Sequence, residues 1–556
     1  MPGPDTAAPA SGDDPGVAAA GAGAPQPAPS ATKGVARNTA IFSAATGLSR
    51  IAGLIREVVA RGYFGTSGPA SAFTFAFQLP NLVRSLFADA ALSAAFVPIF
   101  TDLLEKDRKQ DAFTLASTLF FCILAVLGFV TALFILLAGI IVPPFIPADV
   151  GGGLDALTVG LSRLLFPIVL LLGLNGLVVG ILNAHGHFTV PALAPLVWNA
   201  VIIASLVALH GLFDGQDQIY AYAIGVLLGT FVQFVMVLPV LRRIDFRFPR
   251  VVNLTDPRIR QVAALMLPVT IGLGIINFDQ VVNTTIGFRV SAAAPTSIEA
   301  AFRIYMLPQG IFSVALASVL FPALSRLASR RDFDGLRHTM AAGVRQIFLM
   351  LVPAAVFMVV LAEPIVRLIY ERGAFDAQST ENVKLALFWF TFSLPFAGVN
   401  LLLTRTFFSL QKPWIPARLA IGTLVINTLV TLALYERFGI PGLVIGTPIA
   451  SLIFTLTQTR ALRRLLGGSI EGRETALAFV RIAGAAAVMG AAALATHSAL
   501  HELLGDAFSA RLIAMGAASL VAAVVYATAT LLLRIEEARR VERFLMTRVR
   551  ARRATG

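Results

Sequence analysis

The 556-residue sequence is short of charge and has one cysteine and three tryptophans. Charged residues make up 13% of it, against about 25% in a typical soluble chain. A soluble protein of this make-up would expose apolar patches large enough to aggregate. The lone cysteine, Cys122, excludes an internal disulfide and a CxxC metal site; within FFCILAVLGFV it reads as a small hydrophobe. Also missing are a GxxxxGK[ST] phosphate loop, a dinucleotide-binding glycine loop and a nucleophile–base arrangement. An enzyme is therefore not indicated, and no cofactor is expected. His185 and His187 in NAHGHF are only two ligands on a short loop, so no metal site is assigned and they read as interfacial polar residues.

What is present is apolar. The chain is 57% hydrophobic, with a mean hydropathy of +0.79, which predicts an all-α polytopic membrane protein. A bilayer-crossing helix needs about 20 apolar residues. That ruler predicts fourteen spans, near 39–64, 70–101, 112–143, 157–183, 189–211, 218–241, 258–287, 297–325, 341–370, 381–409, 414–436, 439–462, 476–500 and 508–534. Residues 1–36 are rich in Ala, Pro, Gly and Ser and hold almost no large apolar side chain; they are expected to form a disordered cytoplasmic tail.

The net charge of +13 sits in alternate loops. Arg242, Arg243, Arg247 and Arg250 follow span six, Arg326, Arg330, Arg331 and Arg337 follow span eight, and Arg463 and Arg464 follow span twelve. The opposite loops carry Asp149, Asp155, Asp214 and Asp217 and no Lys or Arg. Positive-inside asymmetry puts both termini in the cytoplasm and removes the need for a nucleic-acid partner. The end of the chain, 536–556, is a basic cytoplasmic tail facing anionic membrane lipids.

The prolines reveal a repeat. ALSAAFVPIFTDL, around Pro98, resembles ALASVLFPALSRL, around Pro322, about 224 residues on. LNAHGHFTVPA, around Pro191, resembles SLQKPWIPA, around Pro416, about 225 residues on. Leu79-Pro80 and Leu307-Pro308 are expected to open the corresponding helices. Six spans per copy keep both copies in one orientation, related by an axis along the membrane normal. This divides the chain into a first lobe, 37–242, a second lobe, 258–465, and an unrepeated helix pair, 475–535. A central cavity between rocking lobes is transporter architecture.

Ionisable residues at membrane depth are costly and need an explanation. Arg50, Arg56 and Glu57 lie inside span one, Arg84 in span two, and Arg303 in span eight. Snorkelling or pairing with an acid accounts for Arg61 and Arg405 near span ends. Arg50 and Glu57, seven residues apart, share a helix face and are placed to neutralise each other in part. The remaining excess of arginine points to an anionic cargo, because the planar guanidinium binds phosphate through paired, charge-assisted bonds. Asp279, with Asn283 one turn on, is either a coupling-cation site or an acid paired with one of those arginines.

The stretches SRIAGLIREVVARGYFG, FQLPNLVRSLFADAALSAAFVPIF, LNAHGHFTVPALAPLVWN, RIYMLPQGIFSVALASVLFPALSR and RTFFSLQKPWIPARLAI resemble the MurJ (MviN) family of lipid II flippases. That family belongs to the multidrug/oligosaccharidyl-lipid/polysaccharide (MOP) exporter superfamily. The resemblance covers about residues 37–535. It implies a bacterial cytoplasmic-membrane flippase acting in peptidoglycan biosynthesis, with lipid II as its cargo. It also implies that Arg50, Arg56, Arg84 and Arg303 hold the pyrophosphate beside Glu57, and that the last two spans form a groove for the prenyl tail. Asp279 and Asn427 become candidates for a sodium site, with Na+ or H+ coupling and membrane potential as the driving terms. Against that family, Ser71 and Met306 replace acids found in some members, and Ser85 replaces a second arginine beside the first. The alternatives are an exporter of another polyprenyl-linked glycan or a drug, and a non-transporting scaffold for cell-wall synthesis proteins.

Overall fold

The computed structural model describes residues 29–87, 90–147, 153–187, 189–244, 246, 249, 252–468 and 470–539. Most of the expected N-terminal tail, the basic residues from 540 onward, and Asp149, Arg247 and Arg250 lie outside them, as does the side chain of Ser85.

The described residues are helical throughout, with no strand. The first half contains α1 (Pro29–Phe64), α2 (Gly68–Phe87), α3 (Ala90–Glu105) and α4 (Lys109–Ile141). It continues with α5 (Leu154–Leu165), α6 (Ile168–Ala184), α7 (Thr189–Leu209) and α8 (Ile219–Arg243). The second half contains α9 (Pro257–Val290), α10 (Ala294–Pro308), α11 (Val314–Ser329), α12 (Phe333–Val360) and α13 (Ala362–Tyr370). Next come α14 (Ala377–Thr391), α15 (Leu394–Ser409), α16 (Trp414–Phe438), α17 (Ile440–Val444) and α18 (Gly446–Leu466). A last pair follows, α19 (Gly472–Leu504) and α20 (Phe508–Leu532). Helix is the open-chain solution in hydrocarbon, since it satisfies every backbone polar group within its own segment.

Ten of these passes are long and apolar enough to cross a bilayer, or eleven when the pair α14–α15, bent by 47°, is taken as one. The chain is an all-α multi-pass membrane protein. Three local expectations change. Helix α1 starts at Pro29, so residues 29–36 are helical rather than tail. The span expected at 341–370 breaks at Leu361, leaving α13 as a separate short helix. Leu307-Pro308 closes α10 instead of opening a helix, and a π turn, Gln309–Ser313, leads on into α11; Leu79-Pro80 lies within α2. A proline removes one backbone donor, and wider turns absorb the defect.

Buried clusters largely follow the two halves. One draws its side chains from Ile286 to Ile535, and two others from Ala60 to Phe288 and from Phe96 to Val262. Helix α9 is the exception. It sends Val262, Val281 and Phe288 into first-half clusters and packs on α2, α3 and α16. A small cluster around Leu361, Met489 and Met515 fastens α19 and α20 to the end of α12.

Two contacts join the halves. Ser71 donates to Thr296 Oγ1 at 2.9 Å, and Thr74 donates to Glu299 Oε2 at 2.8 Å. Each pair is separated by 225 residues, the spacing of the Pro191 and Pro416 echo. Both contacts lie between α2 and α10.

Candidate functional site

Helix α1 carries its charges over its last four turns. Glu57 and Arg61 are one turn apart, the spacing at which side chains on a helix meet. Arg61 donates from Nε and Nη2 to Glu57 Oε1 at 3.0 and 2.7 Å. Arg56 Nη2 lies 3.8 Å from Glu57 Oε2, and its guanidinium stacks on the Trp198 ring of α7 at 4.8 Å. Arg56, Glu57 and Arg61 are all buried.

The second half supplies the counterpart. On α10, Arg303 Nη2 donates to Glu299 Oε1 at 3.0 Å. The other Glu299 oxygen faces the first half, accepting from Thr74 and lying 3.5 Å from Arg61 Nη2. Three arginines and two glutamates thus form one chain of charge across the boundary between the halves. Buried ions need such networks, because an unpaired charge at this depth is strongly unfavourable. Ser71, completely buried against Thr296, keeps the neighbouring contact neutral.

The cavity bounded by Arg56, Glu57, Thr74, Trp198, Tyr222 and Glu299 has a volume of about 30 Å³. That admits a water or two and no phosphate group. The closure continues to the end of α1. The Ala374 N–H donates to the Gly62 carbonyl at 2.8 Å, and Thr66 Oγ1 and Ser379 Oγ share a hydrogen bond at 2.8 Å. Gly65 and Gly373 adopt φ of +56° and +59° at this crossing. A side chain on either would run into the facing backbone.

The sequence-predicted residues therefore separate into three places. Arg56, Glu57 and Arg303 meet in the charge network. Arg50 is exposed, and its guanidinium points toward Gly310 of the π turn, so it stands in the same seam further from the closed end. Its expected partner, Glu57, is bound to Arg61 instead. Arg84 is half-buried, ten residues along α2 from Thr74 and so about 15 Å away at 1.5 Å per residue.

Asp279 forms a third place. Asn427 Nδ2 of α16 donates to its Oδ1 at 3.4 Å, and Asn283 stands beside it on α9. The Oδ1 atoms of Asn283 and Asn427 are buried with no hydrogen-bond partner. Of the two readings of Asp279, pairing with an arginine is not what these contacts show. Among the described residues no group of three His, Cys, Asp or Glu is placed to hold a metal ion. His185 Nδ1 lies 2.9 Å from the Ile181 carbonyl at the end of α6, while His187 is exposed.

The sequence reading missed Glu299. The signal was there in EAAFR, an acid four residues before Arg303, the orientation that favours an in-helix ion pair.

The profile of the lipid II flippase MurJ family matches residues 60–528. The chain is 30% identical over 432 residues to the lipid II flippase MurJ of Burkholderia cenocepacia, covering 75% of this chain and 81% of that protein. It is 28% identical over 479 residues to the probable lipid II flippase MurJ of Vibrio cholerae, covering 83% and 89%. A solved lipid II flippase MurJ in an inward closed conformation has the same fold, with a TM-score of 0.71 and 22% identity over 89% of this chain and 98% of that one. An inward-facing MATE family transporter of the MOP superfamily gives a TM-score of 0.64 at 14% identity, covering 76% and 96%. With the family profile matching most of its length, this chain belongs to the MurJ family of lipid II flippases, transporters rather than enzymes.

Proposed function

We propose that the protein carries lipid II from the cytoplasmic to the outer leaflet of the bacterial inner membrane by alternating access, its seam arginines binding the pyrophosphate. The observation that carries this reading is the charge network of Arg56, Glu57, Arg61, Glu299 and Arg303. It joins α1 to α10 and holds one more cation than acid.

With the basic loops facing the cytoplasm, the closed end of α1 faces outward and the seam around Arg50 faces inward. A pyrophosphate entering there meets Arg50 and Arg84 first, with Arg303 deeper, one helical turn from Glu299. Arg303 is the more available, since 44% of its side chain is exposed against 24% for its partner Glu299. A pyrophosphate drawing Arg303 and Arg56 to itself leaves Glu299 and Glu57 short of countercharge, which weakens the outward closure. The lobes then separate on that side, and the prenyl tail stays in lipid along α19 and α20. Arginine in the seam disfavours a cationic drug as cargo.

Asp279 with the unpartnered Asn283 and Asn427 oxygens offers the donors a hard cation prefers. Na+ held there would couple transport to its gradient, and moving one charge across the membrane adds about 2.3 kcal/mol per 100 mV.

The test is lipid II exposure on the outer leaflet of cells depleted of their own flippase. Wild-type protein restores exposure, whereas Arg303→Gln at matched expression does not. Equal rescue by both shows that Arg303 does not hold cargo. Failure of the inserted wild-type protein to rescue overturns lipid II as the substrate.

A further inference from the structure

A second cavity, of about 580 Å³, opens between α13, α14, α19 and α20. It lies away from the seam. Helix α12 runs from the loop holding Arg330 and Arg331 toward the cavity, and α19 starts near Arg463 and Arg464 and ends beside it. The cavity thus occupies the membrane face opposite the basic loops. Arg367, Lys384, Arg511, His497 and His501 line it, with Glu363 the one acid. Phe388, Trp389 and Leu494 complete the wall, and Leu494, Phe508 and Leu512 continue from it as exposed apolar surface.

We infer that this pocket binds the phosphate of a lipid standing in that opposite leaflet. Three permanent cations face a volume large enough for a headgroup, and an apolar surface leads away from it for the chain. Three of the acids beside these cations are weak competitors: the side chains of Glu363, Glu381 and Asp506 are 41%, 46% and 72% exposed, and exposed pairs contribute about 0–1 kcal/mol. Glu371, 21% exposed, is the stronger one, accepting from Arg367 Nε at 3.2 Å and from Arg511 Nη1 at 3.4 Å.

Arg511 is the least satisfied cation. Its nearest acid oxygens are Glu371 Oε1 at 3.4 Å and Asp506 Oδ1 at 3.8 Å, and its Nε–H is buried with no partner. A phosphate supplies the paired acceptor oxygens this guanidinium lacks. The interfacial Trp389 suits the same depth, with an apolar ring and a polar N–H. This inference does not depend on the identity of the flipped cargo.

Purified full-length protein in detergent is titrated by native mass spectrometry with phosphatidylglycerol and with diacylglycerol of the same acyl chains. Phosphatidylglycerol is expected to bind at least tenfold more tightly. Arg511→Gln should weaken it about tenfold, the loss of one charge-assisted hydrogen bond, and Lys384→Gln should weaken it as well. Arg303→Gln, in the seam, should leave it unchanged, which separates this site from the proposed cargo site. Undecaprenyl pyrophosphate displacing phosphatidylglycerol in an Arg511-dependent way assigns the pocket to the polyprenyl carrier. A lack of displacement assigns it to bulk phospholipid. Equal binding of diacylglycerol overturns the inference. So does binding indifferent to both substitutions; should Arg511→Gln fail to fold, Lys384→Gln decides alone.

Discussion

Glu299 carries the charged contacts that close the seam between the two halves, so removing it should open the outward side. In Glu299→Ala the Thr74 hydroxyl loses its acceptor at 2.8 Å and Arg61 loses the acid at 3.5 Å. Both contacts cross between halves, whereas the Arg303 contact stays within α10. A hydrogen bond to a charged group contributes about 1.5–3 kcal/mol. Glu299 is partly exposed, which places the loss near 2 kcal/mol, or roughly a 30-fold shift toward the outward-open form at 1.4 kcal/mol per decade. Thr66 provides the reporter, being buried against Ser379 in the closed form. With Cys122→Ala and Thr66→Cys as background, a membrane-impermeant maleimide applied to intact cells labels position 66 at a rate set by the open population. Glu299→Ala should raise that rate about 30-fold. An unchanged rate at equal expression refutes the idea that Glu299 holds the seam.

Other positions give independent checks. Gly373→Ala places a Cβ against the Gly62 carbonyl at a φ of +59°; labelling at position 66 should rise and lipid II exposure should fall while membrane insertion is normal. At the other end, Arg345 donates to Glu537 Oε1 at 2.6 Å and Glu471 Oε2 at 2.7 Å. Arg345→Met strands the buried Glu537, a loss of about 3–5 kcal/mol that a thermal melt would show, and Arg345→Met combined with Glu537→Leu should recover most of it. Asp376 caps α14, and bonds from the Ser379 backbone N–H and then its hydroxyl hold its carboxyl below the usual range. A lowered carboxyl adds stability above its ordinary range and loses it as pH falls through the folded-state value. Asp376→Ala should therefore lower stability by about 1 kcal/mol at neutral pH, and the gap to wild type should close in acid melts.

Hydropathy and periodicity are local properties, and what depends on them was legible in the residues. The membrane class and the spacing of many of the helices belong here. So does the abundance of arginine over acid at depth, and the SRIAGLIREVVARGYFG stretch that carried the family resemblance. One further echo went unread: Gly173 and Asn175 in GLN match Gly398 and Asn400 in GVN. Both pairs lie on helices that follow a proline break, α6 and α15.

Partner choice was not legible, because an ion pair forms over a few ångströms between helices whose relative placement no single stretch encodes. Arg50 and Glu57 share a helix face, yet the nearer Arg61 takes the carboxylate. Arg84 matches the other arginines in type and sits about three turns of α2 from Thr74. Glu299 looked like one end of an in-helix pair and became the bridge between the halves, because α10 packs there against α2. The sequence by itself determined that this chain lives in a membrane, crosses it repeatedly and carries more arginine than acid at depth. The packing of α1, α2 and α10 decided which arginines meet, which acids restrain them, and which end of the seam is closed. Apolar patterning sets how deep each charge lies; only three-dimensional distance sets which opposite charge it finds.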